Sequence, residues 1–120
     1  MGSLLVQITH GPEAPTRAAL GCLVALAAVE DGHDVTVFFA GDAAHFMRDA
    51  VVQATAGIGT GTMADHIPNL VAKGVQIYVS KMSANARGIT EADLVSTNAT
   101  FAAPAKLVEL TFAADRVLTY

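Results

Sequence analysis

Short apolar runs rich in β-branched residues alternate along this chain with longer stretches whose apolar residues return every three or four positions. Leu4–Thr9 (LLVQIT) is the first such run and predicts a buried strand, broken by His10-Gly11-Pro12. From Pro15 to about Asp31 the spacing is helical, with Pro15 suited to a first-turn position. Leu20, Leu23, Val24, Ala27 and Ala28 share one face at that spacing and are expected to be buried. Ala18, Ala19, Cys22, Leu26 and Val29 add apolar cover elsewhere, which predicts a helix buried on two sides, by a sheet and by a neighbouring subunit.

Gly32-His33 ends that helix, and Asp34–Ala40 (DVTVFFA) predicts the second strand. Gly41-Asp42 reads as a turn and Ala43–Val52 as a second helix. Gln53–Thr62 is polar and glycine-rich, hence a loop. Asp65 is the expected N-cap of a helix over His66–Lys73, with Pro68 in its first turn and Ile67, Leu70 and Val71 on its apolar face. Gly74 is a helix stop, and Val75–Val79 is a third strand. The polar stretch Ser80–Gly88 follows as a loop, and Thr90-Glu91-Ala92-Asp93 reads as a capping box opening a short helix. Pro104 starts a last helix to about Ala114, with Leu107, Val108 and Leu110 inward and Lys106 and Glu109 placed as a solvent-side pair. Arg116–Tyr120 (RVLTY) predicts a final strand.

Alternation of strands with helices implies right-handed crossovers. The expected architecture is therefore α/β, a three-layer domain over residues 1–120 with a mainly parallel sheet and helices on both faces. In such sheets ligands sit beyond the carboxyl ends of the strands. The Ser80–Gly88 loop is accordingly the candidate site, with an ordinary solvated connection as the alternative.

The same stretch carries a family resemblance. Gly-Val-x-Ile-x-Val at Gly74–Val79, then a short polar loop with Ser83 and Ala86-Arg87-Gly88, resembles the DsrE/DsrF-like (YchN-like) family of small sulfur-relay proteins. The likeness runs along nearly the whole chain to Ala114-Asp115-Arg116-Val117-Leu118 and implies a Rossmann- or flavodoxin-like topology. It also implies trimers or hexamers and sulfur transfer between carrier proteins. In that family the central strand typically ends in a cysteine that carries sulfur as a persulfide; here the matching position is Ser80. A thiol of pKa about 8.5 is partly ionised at neutral pH, whereas a hydroxyl neither ionises there nor holds sulfane sulfur. The resemblance therefore points to a cysteine-less member that binds a small anion or a sulfur-carrier partner, with sulfurtransferase activity left open.

Composition narrows the field. A hydrophobic content of 52% with 15% charged residues is apolar for a chain of 120 residues. No window reaches the roughly 18 uninterrupted apolar residues of a membrane span. The surplus suits a subunit interface, so a homo-oligomer is expected. A net charge of −4 with scattered Lys and Arg argues against nucleic acid. A single cysteine and a start, Met1-Gly2-Ser3, without a charged leader region suggest a reducing cytoplasm.

Ser80 lacks a G-x-S-x-G setting, being flanked by Val79 and Lys81, and its alternatives are a hydrolytic or transferring nucleophile, a ligand-binding hydroxyl, or a cap of its own turn. His10 follows the first strand and Asp42 and His45 the second, so a parallel sheet gathers them near Ser80, where hydrolysis or another transfer would use them. Their spacing matches no metal signature, and polar lining is the expected role; no metal or cofactor is called for. His33 and His66, near helix ends, are read as capping or surface residues. Ser83 and Arg87 are the remaining ligand-binding candidates; Arg87 either holds an anion or pins the loop to Glu91, Asp93 or a neighbouring subunit. Gly57–Thr62 has no following Gly-Lys-Ser/Thr, so a flexible loop or flap is expected instead of a phosphate cradle. Cys22, mid-helix among Gly21, Leu23 and Val24, reads as a small core residue. A purely structural oligomer subunit is the reading that assigns none of these groups a ligand.

Overall fold

The computed structural model describes all residues from Met1 to Tyr120. Five strands, β1 (Ser3–Ile8), β2 (Asp34–Phe39), β3 (Gln76–Ser80), β4 (Thr100–Ala102) and β5 (Arg116–Thr119), form one sheet. Its order is β4-β3-β2-β1-β5, and every pairing is parallel. The first three crossovers step in one direction across the sheet. The last returns from one edge to the other, and a right-handed crossover that reverses direction must pass over the opposite face. That face therefore carries a single helix.

The register aligns Val6 with Val37 and Ile77, and Ile8 with Phe39 and Val79. These six are between 0 and 1% exposed and anchor the main core of the molecule. Against them pack α1 (Pro15–Glu30), α2 (Asp49–Ala54), α3 (Met63–Ala72) and α4 (Lys81–Ala86). On the opposite face α5 (Pro104–Ala113) covers Leu5, Phe38 and Ala102, its Leu107 and Leu110 being only partly buried.

The buried face of α1 is not the leucine face. Ala18, Ala19, Gly21, Cys22, Ala25 and Leu26 turn inward, and Leu20 and Leu23 are each 38% exposed. The reason is distance: a β-carbon at Gly21 would lie 2.8 Å from Ile8. A helix this close to a sheet needs small residues at the contact, and its larger ones are displaced outward. Val108 also departs from expectation, being 55% exposed on α5.

Ala43–Val52 is not one helix. A 3-10 helix over Gly41–Met47 gives way to α2, with Arg48 extended between them (φ −94°, ψ 123°). The N-cap of α3 is Thr62, which accepts a bond from the Asp65 amide, so Asp65 lies in the first turn and Pro68 inside the helix. Strand β4, three residues long, had no pattern to announce it. The Thr90–Asp93 capping box is present on a 3-10 helix over Glu91–Leu94. Gly57–Thr62 is a tied turn: Ala56 bridges Thr62, the Ile58 amide donates to Thr16 Oγ1, and His66 Nε2 lies 2.6 Å from the Thr60 carbonyl. His66 is thus a buried partner of that turn, and His33 Nδ1 accepts a bond from the Gly2 amide.

Candidate functional site

The connections leaving β3 and β4 pass to opposite faces of the sheet, the first through α4 and the 3-10 helix, the second through α5. Such a divergence marks the carboxyl ends of the two strands as the place where sheets of this kind bind ligands. Ser80 is the last residue of β3 and pairs with Ala102 of β4, which places it at that end.

The stretch after Ser80 is helical, where the sequence suggested a loop. Ser80 is the N-cap of α4: its Oγ accepts a bond from the Ser83 amide at 3.2 Å. KMSANA carries no apolar periodicity, and tertiary contacts hold it instead, with Ala84 buried in the main core. Neither His10 nor His45 bonds to Ser80, so no base stands at its hydroxyl.

Three hydrogen bonds and one peptide bond close a ring between the ends of β2 and β3. The Gly41 amide donates to Ser83 Oγ at 2.8 Å. Arg87 Nη1 donates to the Ser83 carbonyl at 3.0 Å, and Arg87 Nη2 to Asp42 Oδ1 at 2.8 Å. The peptide bond from Gly41 to Asp42 completes it. Gly41 has φ +57°, a left-handed conformation that turns the chain out of β2 and presents Asp42 to the arginine. Arg87 thus ties the loop to Asp42, and not to Glu91 or Asp93. Its guanidinium is less exposed than its partner, with side chains 24% and 51% accessible. The Arg87 hydrogen bond, and the positive charges of Arg87, His45 and His10, hold the Asp42 carboxyl below its ordinary range against the opposing effect of its desolvation.

His10 and His45 are part-buried at the same end of the sheet. The segments that follow β1 and β2 meet closely there, which Gly11 permits because a β-carbon in its place would collide with the Asp42 carbonyl. One tie is invisible in the sequence: Arg48 Nη2 donates to the Gly88 carbonyl at 3.0 Å, so each segment sends an arginine to the other. Arg48 falls inside the stretch that reads as a helix, and no spacing marks it. The six residues form an open polar surface: the four hollows of the molecule, about 140 to 430 Å³, have other linings. No three His, Cys, Asp or Glu side chains gather as a metal-binding group. Cys22 lies far from this chemistry in kind: it is buried in α1, and burial pushes its thiol up to about 12.

An all-parallel sheet with helices on both faces, and with polar side chains at the carboxyl ends of its strands, defines a doubly wound α/β protein. The chain belongs to the DsrE/DsrF-like family, whose model matches residues 2–120. Among solved structures it is similar to the ychN protein from E. coli, at 21% identity over 100% of both chains with a TM-score of 0.84. It is also similar to a conserved protein of unknown function from Bacteroides thetaiotaomicron, at 14% identity over 99% of this chain and 95% of the other, TM-score 0.73. No curated protein matches. At these identities the structural likenesses establish the fold, five parallel strands flanked by helices, and the family supports at most a sulfur-relay-related role. No helix is long and apolar enough to cross a membrane.

Proposed function

We propose that this chain is a cysteine-less member of its family, acting in the cytoplasm by binding a small anion or a sulfur-carrier protein at Ser80–Arg87. The observation that carries this reading is the composition of the site: a hydroxyl caps the helix after β3, and an arginine lies three residues beyond Ala84 on the same turn-and-helix unit. A hydroxyl at that position holds no persulfide. The one thiol in the chain is buried, and at a pKa of about 12 it is almost wholly un-ionised at neutral pH. His10, His45, Ser83 and Arg87 supply the groups for recognition of an anion, and Asp42, a carboxylate, adds to the polar surface that a carrier protein would meet. We further propose a homo-oligomer, a trimer or hexamer, whose copies meet over the outer side of α5. The support is a row of Ala105, Val108 and Phe112 opposite the inward Leu107 and Leu110, with Phe112 87% exposed. Two such rows packed antiparallel about a two-fold axis, the contact that would join two trimers into a hexamer, set the small Ala105 against the large Phe112 and place the Lys106 and Glu109 of each copy where they can exchange partners.

The test is intact-protein mass spectrometry after incubation with a persulfide donor, on wild type, Cys22→Ser and Ser80→Cys. The expected result is no sulfur adduct on folded wild type and a new one on Ser80→Cys, since a thiol there receives the Ser83 amide bond that favours its ionised form. An adduct on wild type that disappears in Cys22→Ser would make Cys22 the carrier and end the cysteine-less reading.

A further inference from the structure

The ring around Ser83 has one fixed post and one movable one. Arg87 is fixed: Nη1 is held by the Ser83 carbonyl four residues back, and three-quarters of its side chain is covered. Asp42 is not: its side chain is half exposed, and it meets Arg87 through Oδ1 alone, leaving Oδ2 outside the pair. A guanidinium offers five N–H groups in a planar fork, and only two are used here. Carboxylates and other oxyanions satisfy such a fork best through two oxygens. The present contact is therefore an incomplete use of Arg87.

A partly covered guanidinium is costly to leave without an anion, yet anion can be traded for anion with no change in its charge balance. We infer that Asp42 is the resident occupant of the anion position on Arg87, and that a compact oxyanion with two free acceptor oxygens binds by taking its place. This inference rests on the anion-binding reading above and says how that site is regulated. A displaced Asp42 swings into water beside the two histidines whose charge it already feels. Its backbone needs no rearrangement, because the Gly41 amide stays bonded to Ser83 Oγ. Asp42 thereby acts as an internal competitor that keeps affinity low until an anion is abundant or is delivered by a partner.

Inorganic sulfate and thiosulfate serve as probes, titrated at constant ionic strength into wild type, Asp42→Asn and Arg87→Ala while binding is followed by calorimetry. Removing an exposed competing charge is expected to tighten binding by roughly three- to fivefold in Asp42→Asn. Binding is lost in Arg87→Ala, whose thermal melt reports whether the fold survives. A second readout follows displacement directly: the carboxyl carbon of Asp42, watched by NMR across acid pH, titrates below the ordinary range without anion and returns toward it when sulfate, which is stable in acid, saturates wild type. Wild-type binding with equal affinity in Asp42→Asn and an unmoved Asp42 titration would overturn the exchange while leaving the anion site standing. No binding to either protein would overturn both.

Discussion

The two faces of the sheet are built from the same strands and have opposite characters. One carries Val6, Ile8, Val37, Phe39, Ile77 and Val79 under four helices and joins a core cluster of 23 buried residues. The other carries Leu5 and Phe38 beside Thr36, Gln76 and Tyr78, under one helix, and its buried cluster has three members. The inequality comes from topology. Three crossovers run one way and one runs back, so a single ten-residue helix has to cover a whole face. Stability is thus concentrated on one side, and the helix covering the other keeps Val108 and Phe112 exposed.

The sharpest way to break that contrast is to remove one phenylalanine from each side. Phe39 is fully buried and meets Phe46 edge-on with ring centroids 6.3 Å apart. Phe39→Ala is expected to cost about 3–5 kcal/mol in a urea melt, the range for a buried aromatic. Phe112→Lys should leave monomer stability within about 0.5 kcal/mol, as surface changes do, and should lower the mass seen by sedimentation equilibrium. Equal losses of stability would show the α5 side to be as much core as the other. An unchanged mass would remove α5 as the meeting surface.

Cys22 gives a second measure of the packed face, through alkaline pH. Its folded pKa of about 12 lies above its ordinary value of 9.0. Its contribution is therefore complete below pH 9 and is lost as pH rises toward the folded value, because the unfolded chain ionises first. Three pK units correspond to on the order of 4 kcal/mol across that window. Cys22→Ala should flatten the fall in stability between pH 9 and 12. A fall as steep in Cys22→Ala as in wild type would mean that the Cys22 thiol does not resist ionisation in the folded chain.

How far the sequence could be read follows the same division. Strands β1, β2 and β3 announce themselves because each sends two or more alternate apolar residues into the main core; β4, with only Ala102 buried, does not. The inward side of α1 was misassigned because hydrophobic size is a poor guide where a glycine brings a helix against Ile8. At the site the candidates were legible as residue types placed at strand ends by a parallel fold. Their arrangement was not: the partner of Arg87, the Ser83–Gly41 bond and the crossing of Arg48 to Gly88 are long-range contacts between polar groups, which leave no period in a sequence.

The smallest effect belongs to the rim of the open face. Lys106 bonds Glu109 at 3.2 Å and stands over the Tyr78 ring, 5.5 Å from its centroid. The Glu109 hydrogen bond first, then the charges of Glu109 and Tyr78, raise the Lys106 pKa above its ordinary value against desolvation. A raised lysine contributes fully below that ordinary value and loses its contribution as pH climbs through the folded one. Glu109→Gln should bring the Lys106 titration, followed by NMR of its ε-methylene, back toward the ordinary value, with no shift in a denaturant midpoint at pH 7 beyond experimental scatter. In the proposed oligomer the comparison sharpens. If Glu109 of one copy serves Lys106 of the next, the same substitution weakens assembly and makes what remains less sensitive to salt, whereas a pair confined to one chain leaves assembly untouched. The rim of the thinly covered face would then be measurable as a specificity device, separate from the apolar row it borders.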